Sequence, residues 1–179
     1  MAMQISLYDA SVGSYLQTLN AVAGLLSRGL AHCRDKGIDL CEIVEARLIA
    51  DMQPFRFQIQ RLAFHSAGAI EAIRTGVLGL PSVKPLGNYA ALQALVDETR
   101  AALADLPPEA VNGRAGAEVI FRVGEVERLF TAEGFLLSFS LPNFHFHATT
   151  AYNILRSRGV PLGKRDYMGA LRLREREAL

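Results

Sequence analysis

Two histidines and an asparagine lie inside the otherwise apolar run of residues 141–156, and His65 lies in a second apolar stretch. A polar side chain is costly to bury without a partner, so a buried imidazole needs a hydrogen bond, a neighbouring charge or a metal ion. Asn143 and His147 are four residues apart and share one helix face, whereas His145 projects almost oppositely. We therefore predict that His147 faces the interior, although a proline directly before Asn143 can kink the helix and re-aim both faces.

A second polar line precedes this run in the chain. Asp51, Gln58 and His65 are spaced by seven, so they align on one face of a helix. Metal sites in helical bundles are built from facing helices, and a catalytic zinc ion keeps three protein ligands and an open position. His65 and His147 would be two ligands, with Asn143, Gln58 or Asp51 as shell residue or third ligand. The alternative is that histidines and amides satisfy one another by hydrogen bonding and fix the helix register.

The segment 163–169 is a weaker candidate site. Lys164 and Arg165 could bind an anion, but the glycines around them match no phosphate-binding fingerprint. The alternative is a structured return loop that packs Tyr167 and Met168 under the bundle, which we prefer.

Composition limits the class of protein. A chain of 179 residues is long enough for one domain, 1–179, with a substantial core. Its 19 Lys and Arg against 18 Asp and Glu create no field that would steer it to nucleic acid or an anionic membrane. No secretory signal or apolar run long enough to span a membrane is visible, so we expect a cytoplasmic protein. Cys33 and Cys41 have no metal-like spacing, and free thiols are favoured over a disulfide.

Apolar periodicity predicts four long helices and one short one. Between the third and fourth long helices, residues 117–130 alternate in a way that predicts a small β-hairpin or an extended excursion. The predicted helices are a first ending at Gly37, a short one over 39–48, a second from an N-cap at Asp51 to the breakers Gly79 and Pro81, a third from Asn88 to Pro107, and a fourth from Thr131 to Gly159.

This order of elements predicts an all-α four-helix bundle with one small insertion. The fourth helix is apolar nearly all round, so it must be covered on more than one side. Either it is the central element, or its second face meets another subunit. We favour a homodimer.

Three motifs also resemble a known family. They are Ser6-Leu-Tyr-Asp-Ala-Ser11; Asp51-Met-x-Pro54 with Gln58 and His65; and Leu141-Pro-Asn-Phe-x-Phe-His147-x-Thr-Thr-Ala-Tyr-x-Ile-Leu-Arg156 with Gly163-Lys-Arg-Asp-Tyr167. Together they resemble the uncharacterised bacterial domain-of-unknown-function family nineteen-ninety-three. That family is placed among the DinB/YfiT-like four-helix bundles, often described as metalloenzymes. The resemblance implies a DinB-like fold over nearly the whole chain.

Better-known DinB-like proteins hold a divalent metal with one histidine on helix two and two on the last long helix. Some transfer low-molecular-weight thiols or isomerise maleylpyruvate, and dimers are common. The resemblance places His65 and His147 at two of these ligands and Asn143 where the third would be. It implies a degenerate zinc or nickel site with a metal-dependent transferase or hydrolase-type activity. The alternative is a metal-free small-molecule-binding or interaction module with structural histidines.

Overall fold

The computed structural model describes residues 5–81 and 86–173. Helices account for most of these ranges, and one three-stranded sheet accompanies them. The elements in chain order are α1 (Leu7–Lys36), α2 (Leu40–Val44), α3 (Phe55–Phe64), α4 (Ala67–Thr75), β1 (Val77–Gly79), α5 (Tyr89–Ala104), α6 (Pro108–Asn112), β2 (Glu118–Val123), β3 (Val126–Thr131), α7 (Ala132–Gly134), a π segment (Phe135–Ser140), α8 (Leu141–Ser157) and α9 (Lys164–Met168).

The first helix forms as its sequence predicts. The Ser6 side chain accepts a hydrogen bond from the backbone N–H of Asp9, which caps the N-terminus. Gly37 ends the helix in the left-handed conformation, at φ 66°, where a side chain would be strained. The buried face of α1 recurs at helical spacing and contributes Val12, Tyr15, Leu19, Val22 and Leu26 to the core.

The predicted second helix begins later in the structure, and its last residue is Thr75 rather than one near Gly79. Asp51 is not its N-cap: this residue is exposed in a turn, and α3 begins after Pro54, which offers no side-chain cap. The backbone N–H of Phe55 instead donates to the carbonyl of Ala46, 2.8 Å away, so the chain before α3 is a folded turn. The short helix that precedes this turn ends at Val44 rather than near residue 48.

The second predicted helix is also two helices rather than one. α3 ends at Phe64 and α4 begins at Ala67. Between them Ser66 leaves the helical region, at φ −121° and ψ −86°. The break lies at His65, one of the predicted site residues.

A small sheet covers the end of α4. β2 and β3 are antiparallel, and Gly124, at φ 57°, occupies the first position of the two-residue turn that joins them, which favours glycine. β1 pairs in parallel with β2, with Val77 opposite Ile120. The sequence predicted Gly79 only as a breaker and did not predict β1.

The last long helix contains a local widening. The N–H of Leu141 donates to the carbonyl of Leu136, five residues back, as in a π-helix. Pro142 follows immediately, and this residue has no N–H to donate. The π segment thus lets the helix continue through the proline, and α8 packs against both α1 and α3.

Within the two described ranges, no helix is both long and apolar enough to cross a membrane. Both cysteines are free, with Cys33 buried and Cys41 exposed.

Candidate functional site

Two imidazoles meet between α3 and α8. His65 directly follows α3, His147 lies in α8, and their rings are nearly parallel, 15° apart in orientation with centroids 5.6 Å apart. His65 is 5% exposed and His147 is 9% exposed. The histidine that the helical spacing assigned to the interior is therefore the one that faces His65.

A glutamine fixes the orientation of the His147 ring. The Nε2 of Gln58 donates to the carbonyl of Gln53 at 2.9 Å, so its Oε1 is the acceptor toward Nδ1 of His147, 2.8 Å away. This bond requires a proton on Nδ1 of His147, because an amide oxygen cannot donate. In the neutral ring Nε2 then carries a lone pair.

The His65 ring has an unmet polar atom. Its Nδ1 is buried and has no hydrogen-bond partner among residues 5–81 and 86–173. Phe64 and Phe139 meet the ring edge-on, at centroid distances of 4.9 Å and 5.6 Å. A buried ring nitrogen without a partner costs about 1–3 kcal/mol, so this nitrogen is the strongest sign of a ligand.

The helix break at His65 is held by the opposite helix. The hydroxyl of Ser140 donates to the carbonyl of His65 at 2.6 Å, in place of the next turn of α3. Because that hydroxyl has one proton, it accepts from Tyr15, whose oxygen lies 2.6 Å away. This chain of buried hydrogen bonds joins α1, the π segment and the end of α3.

Both imidazoles are neutral near pH 7. Burial is the main cause, and it lowers the pKa of His65 to about 3, with the nearby His147 and Arg61 lowering it further. Burial and the charge of Arg61 lower the pKa of His147 to about 4. The pair can therefore donate and accept hydrogen bonds without carrying charge.

Among the described residues, Arg61 is a cation whose charge acts on both imidazoles. Its guanidinium lies 4.7 Å from the ring centroid of Phe57 and 5.1 Å from that of Phe64. Phe57 also meets His147 edge-on, at 5.9 Å. The arginine and the two phenyl rings thus border the imidazoles on the α3 side, and burial lowers the pKa of Arg61.

The other predicted shell residues do not join the pair. The amide of Asn143 donates from Nδ2 to the carbonyl of Phe139 in its own helix, 2.7 Å away. Asp51 is exposed in the turn before α3, so it does not continue the line of Gln58 and His65. Nδ1 of His145 lies 3.5 Å from the hydroxyl of Tyr167, and burial lowers the pKa of this histidine.

The donor set among the described residues does not supply the three protein ligands of a complete metal centre. In the described part of the chain, no three His, Cys, Asp or Glu side chains gather as a metal site requires. Two imidazoles are present, but the amide of Gln58 is engaged with His147 and that of Asn143 with its own helix. A catalytic zinc site needs three protein ligands.

The segment around α9 is packed against the bundle. Asp166 pairs with Arg28 of α1 at 3.2 Å, and Tyr167 accepts a hydrogen bond from Thr149 at 3.0 Å. Lys164 and Arg165 are exposed. This arrangement supports the return-loop interpretation for Tyr167, whereas Met168 is itself exposed.

Sequence reasoning missed Arg61 and its two phenylalanines. The signal was available, because Phe57, Arg61 and His65 follow one another at intervals of four and so share a face. Arginine on such a face is usually read as a solvated charge, and only the ring contacts distinguish it.

Comparisons with known proteins agree with this fold. The family model described as "Domain of unknown function (DUF1993)" matches residues 7–168. The crystal structure of a DinB family member protein from Shewanella denitrificans is similar with a TM-score of 0.83 and 24% identity, covering 95% of this chain and 96% of that one. That identity shows the fold alone. No curated protein matches the chain. Because the family model spans most of its length, the chain belongs to the DUF1993 family of unknown function, and it has a helix-rich, DinB-like fold.

Proposed function

We propose that this protein is a metal-free small-molecule-binding module whose ligand contacts the His65–His147 pair. The observation that carries the proposal is the buried Nδ1 of His65, which lacks a partner among the described residues. A ligand with one hydrogen-bonding group at this position would satisfy it. His147, only 9% exposed, lies just beneath the surface at the same place.

The imidazoles suit binding better than proton transfer. A general base works best when its pKa lies near the operating pH. The pKa values of His65 and His147, about 3 and about 4, leave both rings too weakly basic to accept a proton efficiently near pH 7. Two neutral rings with one fixed tautomer instead offer a defined pattern of donors and acceptors.

A two-histidine site for zinc or nickel is the second candidate. Gln58 favours it, because a hydrogen bond to one imidazole nitrogen commonly orients the other toward a metal. His65 and His147 would hold the ion, with Gln58 behind His147. The missing third ligand counts against tight binding.

Metal content distinguishes the two candidates. We would purify untagged protein without chelators and measure bound metal by mass spectrometry, beside the His65→Ala/His147→Ala variant and a His145→Ala control. Our proposal expects little metal in all three proteins, also after incubation with excess zinc or nickel and desalting. Near-stoichiometric metal in the wild type and the control, lost in the double variant, would establish the second candidate instead.

We further propose that residues 1–179 are one domain that forms a homodimer. One continuous core of buried residues, drawn from α1 through α8, supports a single domain. Leu129, Leu137 and Phe146 are exposed apolar side chains, and they support the homodimer because a second copy would cover apolar surface. Light scattering after gel filtration should give twice the chain mass, and Leu137→Glu with Phe146→Glu should give the chain mass.

A further inference from the structure

Arg61 has no counter-ion in the part of the chain that the structure describes. The ion pairs there involve other arginines, such as Arg56 with Glu45 and Arg74 with Glu71. Arg61 instead contacts the faces of Phe57 and Phe64 and is only partly exposed. A guanidinium that is partly shielded from water and lacks a carboxylate partner is suited to pair with an anion.

The two phenyl rings restrict this guanidinium. Phe57 and Arg61 are four residues apart on α3, and Phe64 follows three residues later, so all three lie on one face of one helix. Contact with both rings holds the charged group near the imidazoles rather than free in solvent. An oriented guanidinium loses less entropy when it forms two parallel hydrogen bonds.

The histidines complete the site without adding charge. Arg61 lies close enough to influence His65 and His147, and both rings are neutral near pH 7. Nδ1 of His65, which lacks a partner, could donate a further hydrogen bond to an anionic oxygen in the tautomer that protonates it. Phe57, which is partly exposed and meets His147 edge-on at 5.9 Å, offers apolar surface for the body of a ligand.

We propose that Arg61 anchors the carboxylate of a small organic acid over the His65–His147 pair, with apolar groups of the ligand against the surrounding phenylalanines. This inference rests on the proposed function and names its ligand class. A carboxylate has one negative charge and two coplanar oxygens, which matches one guanidinium. A phosphate dianion has more charge than this single arginine neutralises.

Benzoate, its neutral analogue benzamide and inorganic phosphate are suitable probes. Titrations followed by NMR of the imidazole signals of His65 and His147 should show saturable shifts with benzoate and weaker or no shifts with the other two. Benzoate should also raise the pKa of the two histidines, because a bound anion favours their protonated forms.

Three variants separate charge, shape and background. Arg61→Gln should weaken benzoate binding about tenfold or more, the value of a charge-assisted hydrogen bond. Arg61→Lys should recover part of this loss, since it keeps the charge without the planar fork. Arg74→Gln, which removes an exposed arginine paired with Glu71, should bind as the wild type does. Circular dichroism checks that each variant is folded.

The outcomes separate this inference from the proposed function. If benzamide binds as tightly as benzoate and Arg61→Gln has no effect, the site binds small molecules but not through an anion, and the inference is wrong. Tighter binding of phosphate than of benzoate would overturn the carboxylate assignment. If none of the probes shifts either histidine at tens of millimolar, both proposals fail.

Discussion

Acid should destabilise this protein through its two buried imidazoles, well above the pH at which carboxylates titrate. The unfolded chain binds a proton on each histidine near the ordinary pKa of 6.5, whereas the folded pKa values are about 3 for His65 and about 4 for His147. Between these values unfolding takes up protons. The two histidines therefore cost no stability above about pH 6.5, and they destabilise the fold progressively as the pH falls toward the folded pKa values.

The size of the effect follows from the distance between the assay pH and 6.5. The free energy of unfolding falls by about 1.4 kcal/mol per pH unit and per histidine in this window. At about pH 5 this amounts to about 2 kcal/mol for each histidine and about 4 kcal/mol for the pair, relative to a pH above 7. Both folded pKa values lie below 5, so the result depends little on their exact positions. A loss of this size is a large share of the stability of an ordinary domain.

Guanidinium chloride unfolding at about pH 7.5 and about pH 5 measures this loss. We expect the wild type to lose about 4 kcal/mol more than His65→Phe/His147→Phe between the two conditions, and His65→Phe to lie midway. The double variant keeps the smaller loss from His145, whose pKa burial also lowers. The comparison is made within each protein, so a change in overall stability caused by the substitutions does not affect it. If the double variant loses as much stability as the wild type, the imidazoles are not the groups that take up protons, and the assigned pKa shifts are wrong.

Three further substitutions test the packing around the site. Ser140→Ala leaves the carbonyl at the helix break without its donor and should cost about 1–3 kcal/mol in chemical denaturation, whereas Ser138→Ala on the exposed side of the same π segment should cost less than about 0.5 kcal/mol. Gln58→Leu removes the acceptor of the imidazole in α8; about 1–3 kcal/mol should be lost, and ¹⁵N NMR should show a mixture of ring tautomers where the wild type shows one. Gly29→Ala places a Cβ against a buried tyrosine hydroxyl and should destabilise the protein by about 1–3 kcal/mol. Gly24→Ala, in open space on the same helix, should stabilise it by about 0.5–1 kcal/mol. The opposite order of melting temperatures would contradict the packing of α1 on α5.

Local signals predicted the parts of the fold that local physics determines. The end of α1 at Gly37 and the cap of α5 at Asn88 are confirmed, because a left-handed glycine and an asparagine side chain act within a few residues. The motif around residues 141–156 led to the correct family. Helical spacing also placed Gln58 and His65 on one face, and both contact His147.

The remaining features depend on contacts between distant parts of the chain. The break at His65 is stabilised by Ser140, which is 75 residues away, so no pattern within α3 or α4 reveals it. β1 is three residues long and exists through its pairing with β2. Asp51 has the residue type and the spacing of a cap. It lies instead in a turn that is closed by the hydrogen bond from Phe55 to Ala46, so the helix begins four residues later.

The parallel pairing of β1 with β2 has a mechanical consequence for the two imidazoles. The chain leaves His65 through α4 and enters β1, while β3, hydrogen-bonded along the other side of β2, leads directly into the helix that carries His147. The two segments that carry the rings are thus connected by hydrogen bonds in the sheet as well as by the bond from Ser140. A ligand that pushed the rings apart would have to distort both sets of hydrogen bonds at once. We therefore expect the distance between the two rings to change little when a ligand binds.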